Sequence, residues 1–268
     1  MYLSRSPGAP SVHNETIQKM EINIPKTSEV FSSLLRADFT TQWRNRRSVI
    51  LVLLVPVIIL LSWKGLIPRF GGAFVISSCI TVGLVATGLM GYSNTIARDR
   101  DKGIFQRLRV APVPSWAIMA SRLAVQLAMI MLMTMSVFIG GYYFDNITIA
   151  PAGYISTFLI AIVGGAVYLA LGQVIVGLIM NPETVNSTSR LVYFSFIMVG
   201  MFGEFGALTD VLNKVVHWSP YGTVITMLSA SLRPGGWNNE ASMALLASVA
   251  YTVIFATIGI KKFKWNSR

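Results

Sequence analysis

Apolar residues in this chain collect in long uncharged runs separated by short charged clusters, instead of alternating with polar residues. Crossing the hydrocarbon of a bilayer takes about 20 mostly apolar residues in a helix, so each run predicts a membrane span. Six are read, at about 48–67, 70–97, 115–144 and 152–180, a fifth starting at Leu191 and turning irregular near Glu204, and a sixth over 241–260. Pro56 is an expected kink in the first. Pro114, Pro151 and Pro182 stand at run edges, where a missing amide donor does least harm.

Ahead of the first run the period changes. Phe31, Leu35, Phe39 and Trp43 recur every four residues, reinforced by Val30 and Leu34, with Arg36, Thr40, Arg44 and Arg47 on other faces. This predicts an amphipathic helix over 27–47, capped by Thr27 or Ser28 and lying along the membrane surface, where Arg44, Arg46 and Arg47 meet headgroups. A soluble helix packed on a partner domain would satisfy the same period. Residues 1–26 mix Ser, Pro, Asn and scattered charge without the apolar core of a secretory signal, and are expected to form a mobile cytoplasmic tail.

Composition sharpens the class. The chain is 53% hydrophobic and 12% charged, against about 25% charged in an ordinary soluble domain. Its formal charge of +11 does not form one basic face; the cations sit at the ends of apolar runs, which points to membrane topology and away from nucleic acid. With the N-terminus inside, inner segments carry 17 Lys and Arg and outer loops only Lys64, Arg69, Lys214 and Arg233. The positive-inside bias therefore predicts that both termini (including 265–268) and the segment 96–115 are cytoplasmic. Cys79, the single cysteine, rules out an intrachain disulfide and a cysteine metal cluster.

The segment 96–115, IARDRDKGIFQRLRVAPVPS, is a charged island between two spans. Arg98, Asp99, Arg100, Asp101 and Lys102 precede Gly103; then Ile104, Phe105 and Leu108 form one apolar knob flanked by Arg107 and Arg109, and Pro112 and Pro114 end the stretch. A short helix fits this pattern, and a knob ringed by cations suits a groove on an acidic partner protein. A loop that only fixes topology would explain the charges but neither the knob nor the proline stop.

Together with Ile118, Ser121 and Arg122, this island resembles the coupling segment of ATP-binding-cassette permeases of the second exporter type, and most nearly the bacterial multidrug and antibiotic-resistance branch. The resemblance runs over about residues 30–260: NPETVNSTSRLVYF is similar to that family's inner loop and start of span five, and FGALTDVLNKVVHWSPYGTV to its short outer re-entrant helices. It implies an all-α integral membrane protein, six transmembrane helices over 48–264 with an N-terminal amphipathic interfacial helix, in the bacterial cytoplasmic membrane. It also implies export of a hydrophobic or amphiphilic drug-like compound, with residues 98–103, Phe105, Arg107, Leu108, Arg109 and Pro112 as the ATPase-coupling set. GxxxxGK[ST] does not occur, so ATP and Mg are expected on a separate ATPase subunit, in two copies beside two permease copies.

Other positions carry weaker expectations. Gly83, Thr87 and Gly91, at four-residue spacing, are candidates for close helix packing or a dimer contact. Met131 and Met135 are candidates for a cargo path or for gap filling, and Glu204 for the outer exit or for solvation at the interface. Arg122, about two turns inside span three, either snorkels to headgroups or supports the coupling segment. His13 and His217, in the tail and an outer loop, are expected to form no joint site. HExxH and GxSxG are absent and no acidic pair lies inside a span, which disfavours an intramembrane enzyme. An ion-coupled carrier or channel is the second rival, with only Arg122 and Glu204 as candidate relay groups.

Overall fold

A computed structural model describes residues 27–110, 114–206 and 208–263. The expected tail, Pro112 and residues 264–268 lie outside the described residues, as do the side chains of Arg47 and Arg109.

All regular structure among the described residues is helical. The amphipathic segment forms α1 (Thr27–Arg44), which meets α2 (Arg46–Ser62) at a bend of 60°. After a 3-10 turn (Lys64–Leu66) and the short α3 (Ile67–Phe70), one long helical rod is built from α4 (Gly72–Val85), a π-helical turn (Ala86–Tyr92) and α5 (Ser93–Asp101). Then follow α6 (Ile104–Val110), α7 (Ser115–Asp145), α8 (Pro151–Leu178), α9 (Pro182–Glu204), α10 (Asp210–Trp218), α11 (Pro220–Leu232) and α12 (Asn239–Lys262).

Four continuous helices are long and apolar enough to cross a membrane: Gly72–Asp101, Trp116–Asp145, Pro151–Leu178 and Asn239–Lys262, with α1 and α2 a fifth if the bent pair is one span. α9 does not qualify, because its first turns hold Glu183, Asn186 and Arg190 and only 191–203 is apolar. The chain is an integral membrane protein on these grounds. Its helix ends follow elementary capping rules: Pro begins α8, α9 and α11, where its lack of an amide hydrogen costs nothing. Asn181 and Asn238 accept bonds from the first free amides of α9 and α12. α7 stops at Asn146, whose φ of 51° is a left-handed cap that Asn tolerates.

Burial shows which helix is central. In its most apolar window the rod Gly72–Asp101 is 83% buried, against 17% for α12, so the rod is the axis of the bundle and α12 lies on its outer rim. α11 is also deeply enclosed by α4, α8 and α12. At 13 residues it rises roughly 20 Å, too short for a hydrocarbon core of about 30 Å.

Candidate functional site

The charged island emerges from the rod as a helical elbow. α5 ends at Asp101, Lys102 turns the chain, and Gly103 takes φ +67°, a conformation that disfavours any side chain although a Cβ there would meet only the Gln106 side chain at 3.5 Å. α6 then starts, its Arg107 amide bonded to the Gly103 carbonyl at 3.2 Å. The expected short helix is therefore present.

The elbow divides the expected coupling residues into two sets. Arg98, Asp101, Lys102 and Arg107 are exposed, with Gln106 beside them. Asp99, Arg100 and Phe105 turn inward, and Leu108 is half-buried against the core. Arg100 is 2% exposed; its guanidinium donates to the carbonyls of Val176 at 2.7 Å, Ile179 at 2.7 Å and Met180 at 3.0 Å. Those oxygens are the unpaired end of α8, which carries partial negative charge, so a cation with several donors in a plane satisfies them together. The Phe263 ring just past α12 lies 5.8 Å from the Arg100 guanidinium carbon and packs edge-on against Phe105 at 5.9 Å between centroids. Of the apolar knob expected to enter a partner's groove, Phe105 is fully buried within this chain and Ile104 and Leu108 are half-buried. Alternation along a helix hid this, because a docking face and an anchoring face have the same sequence period.

A second tie holds the elbow to the surface helix. Arg122 of α7 pairs with Asp99 of α5, and its Nε lies 3.2 Å from Asp38 Oδ1 of α1, an ion-pair distance with poor hydrogen-bond alignment. Ser121 Oγ donates to Asp38 Oδ2 at 2.5 Å. All three charged side chains are about 15% exposed, so an unpaired member would be left largely without water. Of the two roles expected for Arg122, the structure supplies the contact that one of them needs, a pair with Asp99 of the charged island. Asp38 was not singled out by sequence, since on a helical wheel it reads as one more solvated acid.

The small-residue stripe packs within this chain at its first two positions and is open at the third. Gly83 faces Met133 and Pro56 of the same chain, Thr87 is buried with its hydroxyl on the Gly83 carbonyl, and Gly91 has nothing closer than Gln126 at 3.8 Å to a built Cβ. The rod's closest approach to another helix's backbone is at Gly88, where a Cβ would lie 2.5 Å from the Tyr168 backbone, and at Gly172, which abuts the Gly88 carbonyl. The π-helical turn shifts the register by one residue, so a stripe at α-helical spacing no longer shares a face. Tyr92 ends this turn with its hydroxyl on Gln173 Oε1 at 2.7 Å.

A polar cavity of about 380 Å³ opens beside the elbow between Met90, Asn94 and Arg98 on one side and Pro182, Glu183, Asn186 and Arg190 on the other. Asn94 donates to Asn186 at 3.3 Å and Ser93 bonds Ser189 at 2.8 Å, joining the rod to α9. At the opposite end Glu204 is exposed and lines a second polar cavity of about 370 Å³ with Asn213, Lys214 and His217. His217 Nε2 lies 2.9 Å from Glu240 Oε1, tying α10 to the first turn of α12. Met135 is 49% exposed and Met131 half-buried, both away from these two cavities. Among the described residues no group of acidic, His and Cys side chains could hold a metal.

A bundle of apolar helices around one buried rod, with a charged elbow braced to three other helices, defines a polytopic membrane protein. The family model described as ABC-2 family transporter protein matches residues 68–261, and the chain belongs to that family. It is also 22% identical over 222 residues, 79% of this chain and 88% of the relative, to a Bacillus subtilis (strain 168) protein named as a transport permease, YvfS.

Proposed function

We propose that the chain is the permease subunit of an ATP-driven exporter that moves a hydrophobic or amphiphilic compound outward across the bacterial cytoplasmic membrane. Two copies work with two separate ATPase subunits, which bind ATP and Mg, and the elbow at 98–110 receives the ATPase stroke. The observation that carries this reading is the division of the elbow into an exposed cationic face and an inward anchored face. The exposed face, Arg98, Lys102 and Arg107 with Asp101, is free to meet an acidic surface. The inward face passes displacement to α8 through Arg100 and to α1 and α7 through Asp99 and Arg122.

In this reading six segments cross: α2, the rod, α7, α8, α9 and α12, with α1 at the cytoplasmic surface, both termini inside, and α10 and α11 dipping in from outside. α9 supports a second copy. Its apolar part is short, and Leu191, Phe194, Met198 and Phe202 are all exposed along one side, a face that another α9 would cover. Cargo would pass between the copies, from the polar cavity at Asn94 and Asn186 to that at Glu204 and His217, the latter agreeing with an outer exit.

The test is reconstitution in vesicles with and without an ATPase encoded beside this gene. ATP-dependent, vectorial movement of a hydrophobic dye is expected only with both subunits. Gradient-driven movement by the permease alone would overturn the reading in favour of an ion-coupled carrier.

A further inference from the structure

We propose that a cavity on the lipid-facing rim, between α7, α8 and α12, is a binding site for an acyl chain of an anionic phospholipid, with the lipid phosphate held by Lys261 and Lys262. This rests only on the helices lying in a membrane and is independent of the transport reading. The cavity has a volume of about 220 Å³ and is walled by Leu123 and Leu127 of α7, Leu169 of α8, and Ala256 and Ile260 of α12.

Three lining residues carry polar side chains, Tyr92, Gln173 and Thr252, and the Gln173 amide nitrogen is the one donor among them without a hydrogen bond in the described contacts. Tyr92 Oη donates to Gln173 Oε1 at 2.7 Å, and the Thr252 hydroxyl donates to the Ser248 carbonyl at 2.9 Å. A buried water needs two to four polar partners, and an apolar cavity of about 150 Å³ already stays dry and admits a benzene-sized guest. An empty space of this size would forfeit dispersion contacts along its whole lining. The occupant is therefore apolar, and α12, only 17% buried in its most apolar window, leaves an apolar face beside the cavity that a lipid chain would cover.

The headgroup is argued from the mouth. Lys261 and Lys262, both exposed, directly follow Ile260 of the lining, while Trp116, 62% exposed, stands one turn before Met119, another lining residue. An exposed Trp with adjacent lysines is the composition of a headgroup-level site, and the cations select an anionic lipid over a zwitterionic one. The chain would then brace the Tyr92–Gln173 bond, which closes the π-helical turn leading into the elbow.

The test is native mass spectrometry of the purified full chain titrated with dioleoyl phosphatidylglycerol or dioleoyl phosphatidylcholine. Retention of one phosphatidylglycerol in preference to phosphatidylcholine is expected. Ala256→Phe, which fills the cavity, should weaken retention at least tenfold with an unchanged melting midpoint; if that variant does not fold, Ala166→Leu applies the same filling more gently. The Lys261→Gln/Lys262→Gln pair should abolish the preference between the two lipids, and phosphatidylglycerol with six-carbon chains should be lost. Equal retention by the native and filled proteins, equal retention of both lipids, or displacement by an equimolar neutral detergent would overturn the proposal. No ATPase or gradient enters the assay, so its failure would leave the transport reading untouched, and failure of transport would leave this site standing.

Discussion

Arg100 and Val176 lie 76 positions apart in sequence and are joined by a 2.7 Å bond from guanidinium to backbone carbonyl. With Ile179 and Met180 as further acceptors, one side chain caps α8 and fastens the elbow to it. No carboxylate lies within ion-pair distance of this cation in the described contacts; its charge is compensated by helix-end carbonyls and the Phe263 ring, with the Asp101 carboxylate acting at longer range.

The first prediction concerns that cap. Arg100→Met keeps an apolar stem but removes every donor, leaving buried carbonyls unsatisfied, and should cost about 3 kcal/mol. Arg100→Lys keeps charge without the planar set of donors and should recover only part of it. Thermal denaturation of the purified permease in detergent measures both. A wild-type midpoint for Arg100→Met would show that α8 ends without needing the elbow.

Arg122 faces two carboxylates, so its neighbours are unequal in importance. Arg122→Gln leaves Asp38 and Asp99 together in a site with little water and should destabilise by about 3 kcal/mol. Asp99→Asn leaves Arg122 still paired with Asp38 and should cost less. A double-mutant cycle on Asp99 and Arg122 should return a coupling energy of about 1–3 kcal/mol, and additive effects would mean that the elbow and α7 are not energetically linked.

The helical class, the long spans and the elbow were legible in sequence because each depends on composition over many residues: uncharged runs mark spans, and a charge cluster with Gly103 and Pro114 marks the turn. The facing of individual side chains was less so. Phe105 and Arg107 differ by two positions and end on opposite sides, buried and exposed, and only the placement of Phe263, more than 150 residues on, decides which is the anchor. Asp38, as partner to Arg122, required the contact between α1 and α7. The shift from the Gly83, Thr87 and Gly91 stripe to Gly88 comes from a π-helical turn that leaves no pattern in local periodicity.

That register shift can be tested directly. Gly88→Val forces a branched side chain into the Tyr168 backbone, a neighbour that cannot rotate away, and should cost about 1–3 kcal/mol or more. Gly91→Ala meets only ordinary van der Waals contacts at 3.8 Å and beyond and should be close to neutral. Paired melting curves discriminate, since a dimer seam through the stripe would make Gly91→Ala the more damaging of the two.

The two faces of the elbow should fail in different ways. Phe105→Ala opens a cavity beside Phe263 and should destabilise by about 3–5 kcal/mol, lowering the melting midpoint whether or not an ATPase is present. Lys102→Glu with Arg107→Glu changes exposed charges only; the folded permease should melt within experimental error of wild type, because surface substitutions of this kind alter stability by about 0.5 kcal/mol or less. If the exposed face meets an acidic partner, the same pair places like charges across the interface and should abolish co-purification with the ATPase and ATP-dependent dye movement together. Capture of the ATPase at wild-type yield by the doubly reversed protein would mean that the exposed cations of the elbow set topology alone, and that the power stroke enters the membrane helices elsewhere.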